Sequence, residues 1–126
     1  MSSQVRLLIV DDSMIMRNRI ARAVADERLA HVTVVGLARD GQEALRIGEE
    51  KRPNLVTMDL TMPKLDGAEC ISALITILPN VKILVVSALS DKITAIKAIK
   101  RGAHGFLHKP FSEEAIVNAL SQLSKS

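Results

Sequence analysis

Five short apolar runs, each followed by a stretch with helical spacing, limit this chain to few folds. The runs are Val5-Arg6-Leu7-Leu8-Ile9-Val10, Val32-Thr33-Val34-Val35, residues 54–58, residues 81–86 and Gly105-Phe106-Leu107-His108. They are too short for helices and are flanked by glycine, proline and asparagine, so they read as strands. They are continuous rather than alternating, which means that both faces of the sheet they build are covered. Parallel neighbours need a crossover, and a helix between each pair of strands supplies it. The pattern predicts an α/β fold with a parallel sheet of five strands and five helices.

The intervening segments agree. Met16, Ile20, Ala23 and Val24 fall on one face of a first helix, with Arg17, Arg19 and Arg22 on the other. Gly36 loosens the end of the second strand. Asp40 and Glu43 form a capping box for a second helix carrying Ala44, Leu45 and Ile47, which Pro53 stops. Asp66 and Glu69 form another, opening a third helix with Ile71, Leu74, Ile75 and Leu78. Ser90-Asp91 caps a fourth, whose apolar positions are Ile93, Ile96 and Ile99 and which ends at Lys100-Arg101-Gly102. Ser112-Glu113-Glu114 starts a fifth, with Ile116, Leu120 and Leu123 on one face.

Several function classes are disfavoured. A length of 126 residues without a linker suits one domain, residues 1–126. No apolar stretch approaches the ~18 residues of a membrane span, and Met1 to Gln4 leaves no room for a signal peptide. The single cysteine, Cys70, excludes an internal disulfide. These features together predict a cytoplasmic protein. A net charge of +3 without a basic run, and two Phe with no Trp or Tyr, argue against a nucleic-acid surface.

Open parallel sheets bind ligands at the carboxyl ends of their strands, so those ends are the place to look. The first strand ends in Asp11-Asp12, the third in Asp59, the fourth in Ser87 and the fifth in Lys109-Pro110. Each has an ordinary reading alone: the acids and the serine could cap the next helix, and the lysine could lie on the surface. Together they put three carboxylates, a hydroxyl and an ammonium on one edge. Carboxylates so gathered repel one another, and a hard divalent cation relieves the repulsion. Oxygen donors without histidine or cysteine favour Mg²⁺. His31, His104 and His108 have no metal-ligand spacing with one another.

The motifs Val10-Asp11-Asp12-Ser13, Met58-Asp59-Leu60-Thr61-Met62-Pro63 with Gly67, Ser87-Ala88 and Lys109-Pro110-Phe111 resemble those of response-regulator receiver domains. The run from Asp12 to Arg17 is most similar to the single-domain chemotaxis regulators (CheY-like). The likeness spans Val5 to Leu123. It implies a doubly wound, flavodoxin-like sheet of order 2-1-3-4-5; chemotaxis regulators of this kind are a standard example of that order, which is taken from the resemblance and not from the residues.

The resemblance also implies the roles. Asp59 would accept a phosphoryl group from the phosphohistidine of a histidine kinase. Asp12, Asp59 and the carbonyl of Thr61 would ligate Mg²⁺, with Asp11 acting mostly through water. Lys109 would pair with Asp59 before reaction and with a phosphoryl oxygen after it, and Ser87 would donate to another. The Lys109–Pro110 peptide would be cis. Phe106 would be the switch residue, working through packing because it lacks the hydroxyl of a tyrosine. Thr61 and Leu89 would influence the lifetime of the acyl phosphate.

The implied function is phosphorylation-controlled binding to an effector such as the flagellar motor switch. A phosphatase would be a further partner; an output domain is not expected, nor enzymatic turnover beyond self-phosphorylation and autodephosphorylation. Two alternatives stay within the family: a receiver cut from a multidomain regulator such as a chemotaxis methylesterase, or a phosphorelay intermediate. A third, a Mg²⁺-dependent hydrolase with an aspartate nucleophile, would need a substrate pocket for which the chain has few residues to spare.

Overall fold

In the computed structural model, which describes residues 4–60, 62, 67–88 and 92–125, the apolar runs pair as one five-stranded parallel sheet in the order β2-β1-β3-β4-β5. The strands are β1 (Val5–Val10), β2 (Val32–Ala38), β3 (Leu55–Met58), β4 (Lys82–Ser87) and β5 (Gly105–His108). Helices α1 (Met14–Ala23), α2 (Gly41–Lys51), α3 (Gly67–Ile77), α4 (Lys92–Lys100) and α5 (Glu113–Lys125) alternate with them, and a short 3₁₀ turn, Glu27–Leu29, precedes β2. The expected doubly wound order is the observed one.

The continuous apolar runs feed two cores at once, because successive strand residues point to opposite faces. Leu8, Val10, Val56, Met58, Ile83 and Val85 meet Ala44 of α2, Cys70, Ile71 and Leu74 of α3, and Ala98 of α4. Leu7, Ile9, Leu55, Leu84 and Val86 meet Ile20 and Ala23 of α1 and Ile116, Val117 and Leu120 of α5. Helices α2, α3 and α4 thus cover one face, and α1 and α5 the other.

Two expectations are corrected. Strand β2 does not loosen at Gly36 but runs on to Ala38. Its register against β1 jumps from Leu7↔Val34 to Leu8↔Gly36, so one extra residue is absorbed as a bulge. A Cβ on Gly36 would lie 2.6 Å from Ile47 Cγ2, so glycine lets α2 close on the bulge. On α4, Ile93, Ile96 and Ile99 are at least half exposed, and Ala98 is the buried residue. The inward side of α4 is made of small residues, Thr94, Ala95 and Ala98, and the isoleucines share the outer side with Lys92, Lys97 and Lys100. The Asp66 part of the third capping box and the Ser90-Asp91 cap lie outside the described residues.

The Asp40–Glu43 box forms, with Asp40 Oδ1 accepting from Glu43 N at 2.8 Å; the Glu43 carboxylate reaches back one residue further than expected, to Arg39 N at 3.1 Å. Helix α1 is capped not by either acid but by Ser13, whose Oγ accepts from Met16 N at 3.2 Å. Among the histidines, His104 Nδ1 accepts from Ile83 N at 3.1 Å, at the mouth of β5. Partial burial and the charge of Lys82 hold its pKa below the ordinary imidazole value.

Thr57 in β3 is buried, and its hydroxyl has no hydrogen-bond partner among the described residues. Replacing it by valine keeps the shape and removes the desolvated hydroxyl. Thr57→Val is expected to raise stability by about 1 kcal/mol, read as a higher urea midpoint at unchanged slope. A midpoint equal to or below the parent's would mean that the hydroxyl is satisfied in solution.

Candidate functional site

Three backbone hydrogen bonds carry the sheet ladder just beyond the strands and fix the residues that matter. Asp11 N donates to Ala38 O at 3.0 Å, Asp59 N to Val10 O at 3.0 Å and Lys109 N to Ser87 O at 2.9 Å. The side chains at these positions leave β1, β3 and β5 from the same edge of the sheet. Ligand atoms of Asp11, Asp12 and Asp59 all lie within 4.8 Å of one another. Asp11 and Asp59 are buried and Asp12 is exposed, so the cluster has dry walls and one wet side.

A buried carboxylate needs compensation, and Lys109 supplies it. Its Nζ donates to Asp11 Oδ2 at 2.7 Å and stands 3.7 Å from Asp59 Oδ2. Both are ion pairs, the shorter to Asp11 and the longer to Asp59, and Asp11 is held directly by protein groups. Asp11 and Asp59 are both buried, and the other oxygen of Asp11 accepts from Ser13 N at 2.9 Å. The Lys109–Pro110 peptide is cis, as expected.

Ser87 is fully buried at the end of β4. The β4–β5 register, Val85↔Phe106 and Ser87↔His108, places Phe106 on the same sheet face as Ser87, one alternation back from the edge. Phe106 is partly buried against the core under α3 and α4. So the structure brings together Asp11, Asp12, Asp59 and Lys109, and puts Ser87 and Phe106 on one face beside them. Thr61 and Leu89 lie outside the described residues. None of the three histidines belongs to the acidic cluster.

Sequence reasoning missed the groups that hold this arrangement from outside. Arg17 Nη1 donates to the carbonyl of Asp11 at 2.7 Å, although the helical pattern put it on the solvent face. Arg19 Nη2 donates to the carbonyl of Phe111 at 3.0 Å. Gly67, at the start of α3, lies against the backbone of Asp59 and Leu60. Gly67 was legible as part of a motif, whereas nothing in the local sequence distinguishes these arginines from solvated ones.

Three carboxylates against one ammonium leave two negative charges at the cluster when all are ionised. One small divalent cation would balance them. The donors are all oxygens, their spacing can be spanned directly or through the ion's waters, and Asp12 leaves an approach from solvent. The residues present fit Mg²⁺.

Comparison with known proteins agrees with this geometry. Residues 7–121 match the family model described as the response regulator receiver domain. The chain is 41% identical over 120 residues to the chemotaxis protein CheY of Thermotoga maritima, covering 95% of this chain and 98% of that one. Among solved structures it resembles the signal receiver domain of a response regulator, NarL, from Mycobacterium tuberculosis, with a TM-score of 0.89 and 31% identity, covering 98% of both chains. It also resembles the CheX–CheY–BeF3–Mg²⁺ complex of Borrelia burgdorferi, with a TM-score of 0.88 and 26% identity over 96% of this chain and 90% of that one. Among the described residues no helix is long and apolar enough to cross a membrane. The chain belongs to the response regulator receiver family of two-component signal transduction, and within it is similar over nearly its whole length to the chemotaxis protein CheY.

Proposed function

We propose that this receiver accepts a phosphoryl group on Asp59 from a histidine kinase and thereby changes its affinity for a protein partner, the flagellar motor switch being the first candidate. The observation that carries the reading is the convergence of Asp11, Asp12 and Asp59 with the Lys109 ammonium at one sheet edge. An Asp59 carboxylate oxygen attacks phosphorus, and the bond from phosphorus to the imidazole nitrogen breaks with its electron pair leaving on that nitrogen. Such transfer needs an in-line oxygen and positive charge over the phosphoryl oxygens. Lys109, 3.7 Å from Asp59 Oδ2, would meet one of those oxygens, and the buried Ser87 hydroxyl would donate to another.

Asp12, Asp59 and the Thr61 carbonyl would hold Mg²⁺, with Asp11 beside them; when bound, the ion supplies further positive charge to the phosphoryl group. The Borrelia CheY, held in its complex with BeF3 and Mg²⁺, supports carrying this chemistry to a chain of the same fold. Movement of Ser87 toward the phosphoryl group would free space on the sheet face it shares with Phe106, and inward rotation of that ring would alter the surface of α4, β5 and α5. In this reading the protein turns over no exogenous substrate.

Millimolar Mg²⁺ is expected to raise the melting temperature by relieving carboxylate repulsion, by the equivalent of about 1.4 kcal/mol at tenfold excess over Kd. Calorimetry or circular dichroism is the measurement, since the chain has no Trp or Tyr for fluorescence. An unchanged midpoint counts against the metal site.

A further inference from the structure

We infer that Arg19 is a positioning residue for Lys109, acting through the carbonyl of Phe111; the inference rests on the function proposed above. Lys109 must place an ammonium at the end of a flexible stem, 2.7 Å from Asp11 and 3.7 Å from Asp59. A stem with four rotatable bonds holds its tip only if its root is fixed. On the sheet side the root is fixed by Lys109 N donating to Ser87 O at 2.9 Å. On the other side Pro110 has no N–H to give, and the backbone group that ties the segment to α1 is the Phe111 carbonyl.

That carbonyl accepts from Arg19 Nη2 at 3.0 Å, across 92 residues of sequence. The same guanidinium lies 5.2 Å from the centroid of the Phe111 ring, within cation–π range. The ring is buried at 6% exposure in the core under α1 and α5, so it is a firm base. The bond is charge-assisted, and such bonds are roughly twice as strong as neutral ones.

Helix α1 also holds the other half of the ion pair. Two residues earlier, Arg17 Nη1 donates to the carbonyl of Asp11 at 2.7 Å. Two residues apart, Arg17 and Arg19 are about 200° round the helix and do not share one face as the sequence pattern suggested, so α1 acts as a strut between the loop that carries Asp11 and the loop that carries Lys109. The Lys109–Asp11 bridge closes the same gap. Arg22, one turn on from Arg19, borders the same α1–α5 cleft with Glu113 and Ile116 and is the natural control.

The test compares the parent with Arg19→Ala, Arg19→Lys and Arg22→Ala in the full chain. Two readouts are used: the rate of phosphorylation by acetyl phosphate with Mg²⁺, and the ¹H–¹³C signal of the Lys109 ε-methylene. Arg19→Ala is expected to slow phosphorylation ~10-fold, because a small displacement from afar is enough to lower reactivity by that order. Its Lys109 signal should move toward that of a solvated lysine, while the Mg²⁺-induced rise in melting temperature persists. Arg19→Lys, which keeps a charged donor, should recover most of the rate and signal, and Arg22→Ala should match the parent.

A parental rate and Lys109 signal in Arg19→Ala would overturn the assignment. So would a slowed reaction in which the Mg²⁺ response falls equally, or in which Arg19→Lys gives no recovery, since either describes a general structural role. If the parent itself takes no phosphoryl group, the function proposed above fails; the Lys109 signal then decides the Arg19 contact alone, its displacement in Arg19→Ala supporting the contact and its constancy overturning it.

Discussion

Asp59→Asn is expected to abolish Mg²⁺-dependent phosphorylation by acetyl phosphate, seen as loss of the shifted species on a phosphate-affinity gel. The fall should be at least ~100-fold, as is usual when a nucleophile is removed. Asparagine has nearly the same shape, but its amide oxygen carries no formal charge and does not attack phosphorus. The fold should survive, because Asp59 lies at the end of a buried strand whose backbone bond to Val10 is untouched. Without Mg²⁺ the variant should be at least as stable as the parent, since one of three mutually repelling carboxylates is gone. Its response to Mg²⁺ should shrink for the same reason. Asp12→Asn is the informative contrast: it keeps the acceptor, lowers Mg²⁺ affinity and slows the reaction without ending it. Continued labelling of Asp59→Asn at the parental rate would move the acceptor elsewhere and sink the proposed function.

The largest effect on stability is expected from Gly67→Ala. A Cβ at that position would press on the carbonyl oxygen of Asp59 and lie 2.6 Å from Leu60 Cα. Both are backbone atoms and cannot swing aside as a side-chain tip can. Either α3 must move off or the Asp59–Leu60 backbone must shift. Overpacking of this kind typically costs about 1–3 kcal/mol, against which the better helix propensity of alanine returns at most ~1 kcal/mol. The strain also falls on the backbone of Asp59, so slower phosphorylation should accompany the lower urea midpoint. Gly48→Ala tests the logic from the other side. Its Cβ would meet only Leu74 Cδ2, at 3.0 Å, and Leu78 Cδ1, at 3.9 Å, which are flexible methyl groups. A near-neutral Gly48→Ala with a strongly destabilised Gly67→Ala is the expected pair of results. Equal midpoints for both would refute the argument from backbone contact.

What was legible in the sequence follows from local periodicity and from strand ends. Apolar runs bounded by proline, glycine and asparagine marked all five strands, because a buried parallel strand must be apolar on both faces. The acids after β1 and β3, the hydroxyl after β4 and the lysine after β5 were visible because the carboxyl edge of such a sheet is where ligands bind. The period of α4 was read correctly but could not say which side faced in. Three isoleucines outweighed small residues in the pattern, yet the small residues are what let the helix approach.

By itself, then, the sequence determined the number and order of elements and the chemical inventory of the site edge. Only the tertiary structure decided how that inventory is wired. Lys109 reaches two buried carboxylates at once, Asp11 at 2.7 Å across 98 residues and Asp59 at 3.7 Å. Arg17 and Arg19 brace two loops through backbone carbonyls, Arg19 while remaining exposed. Gly36 sits inside a strand because α2 presses on the bulge there. Each of these outcomes depends on distances between segments remote in the chain, and a local pattern records burial and spacing but not which remote group arrives.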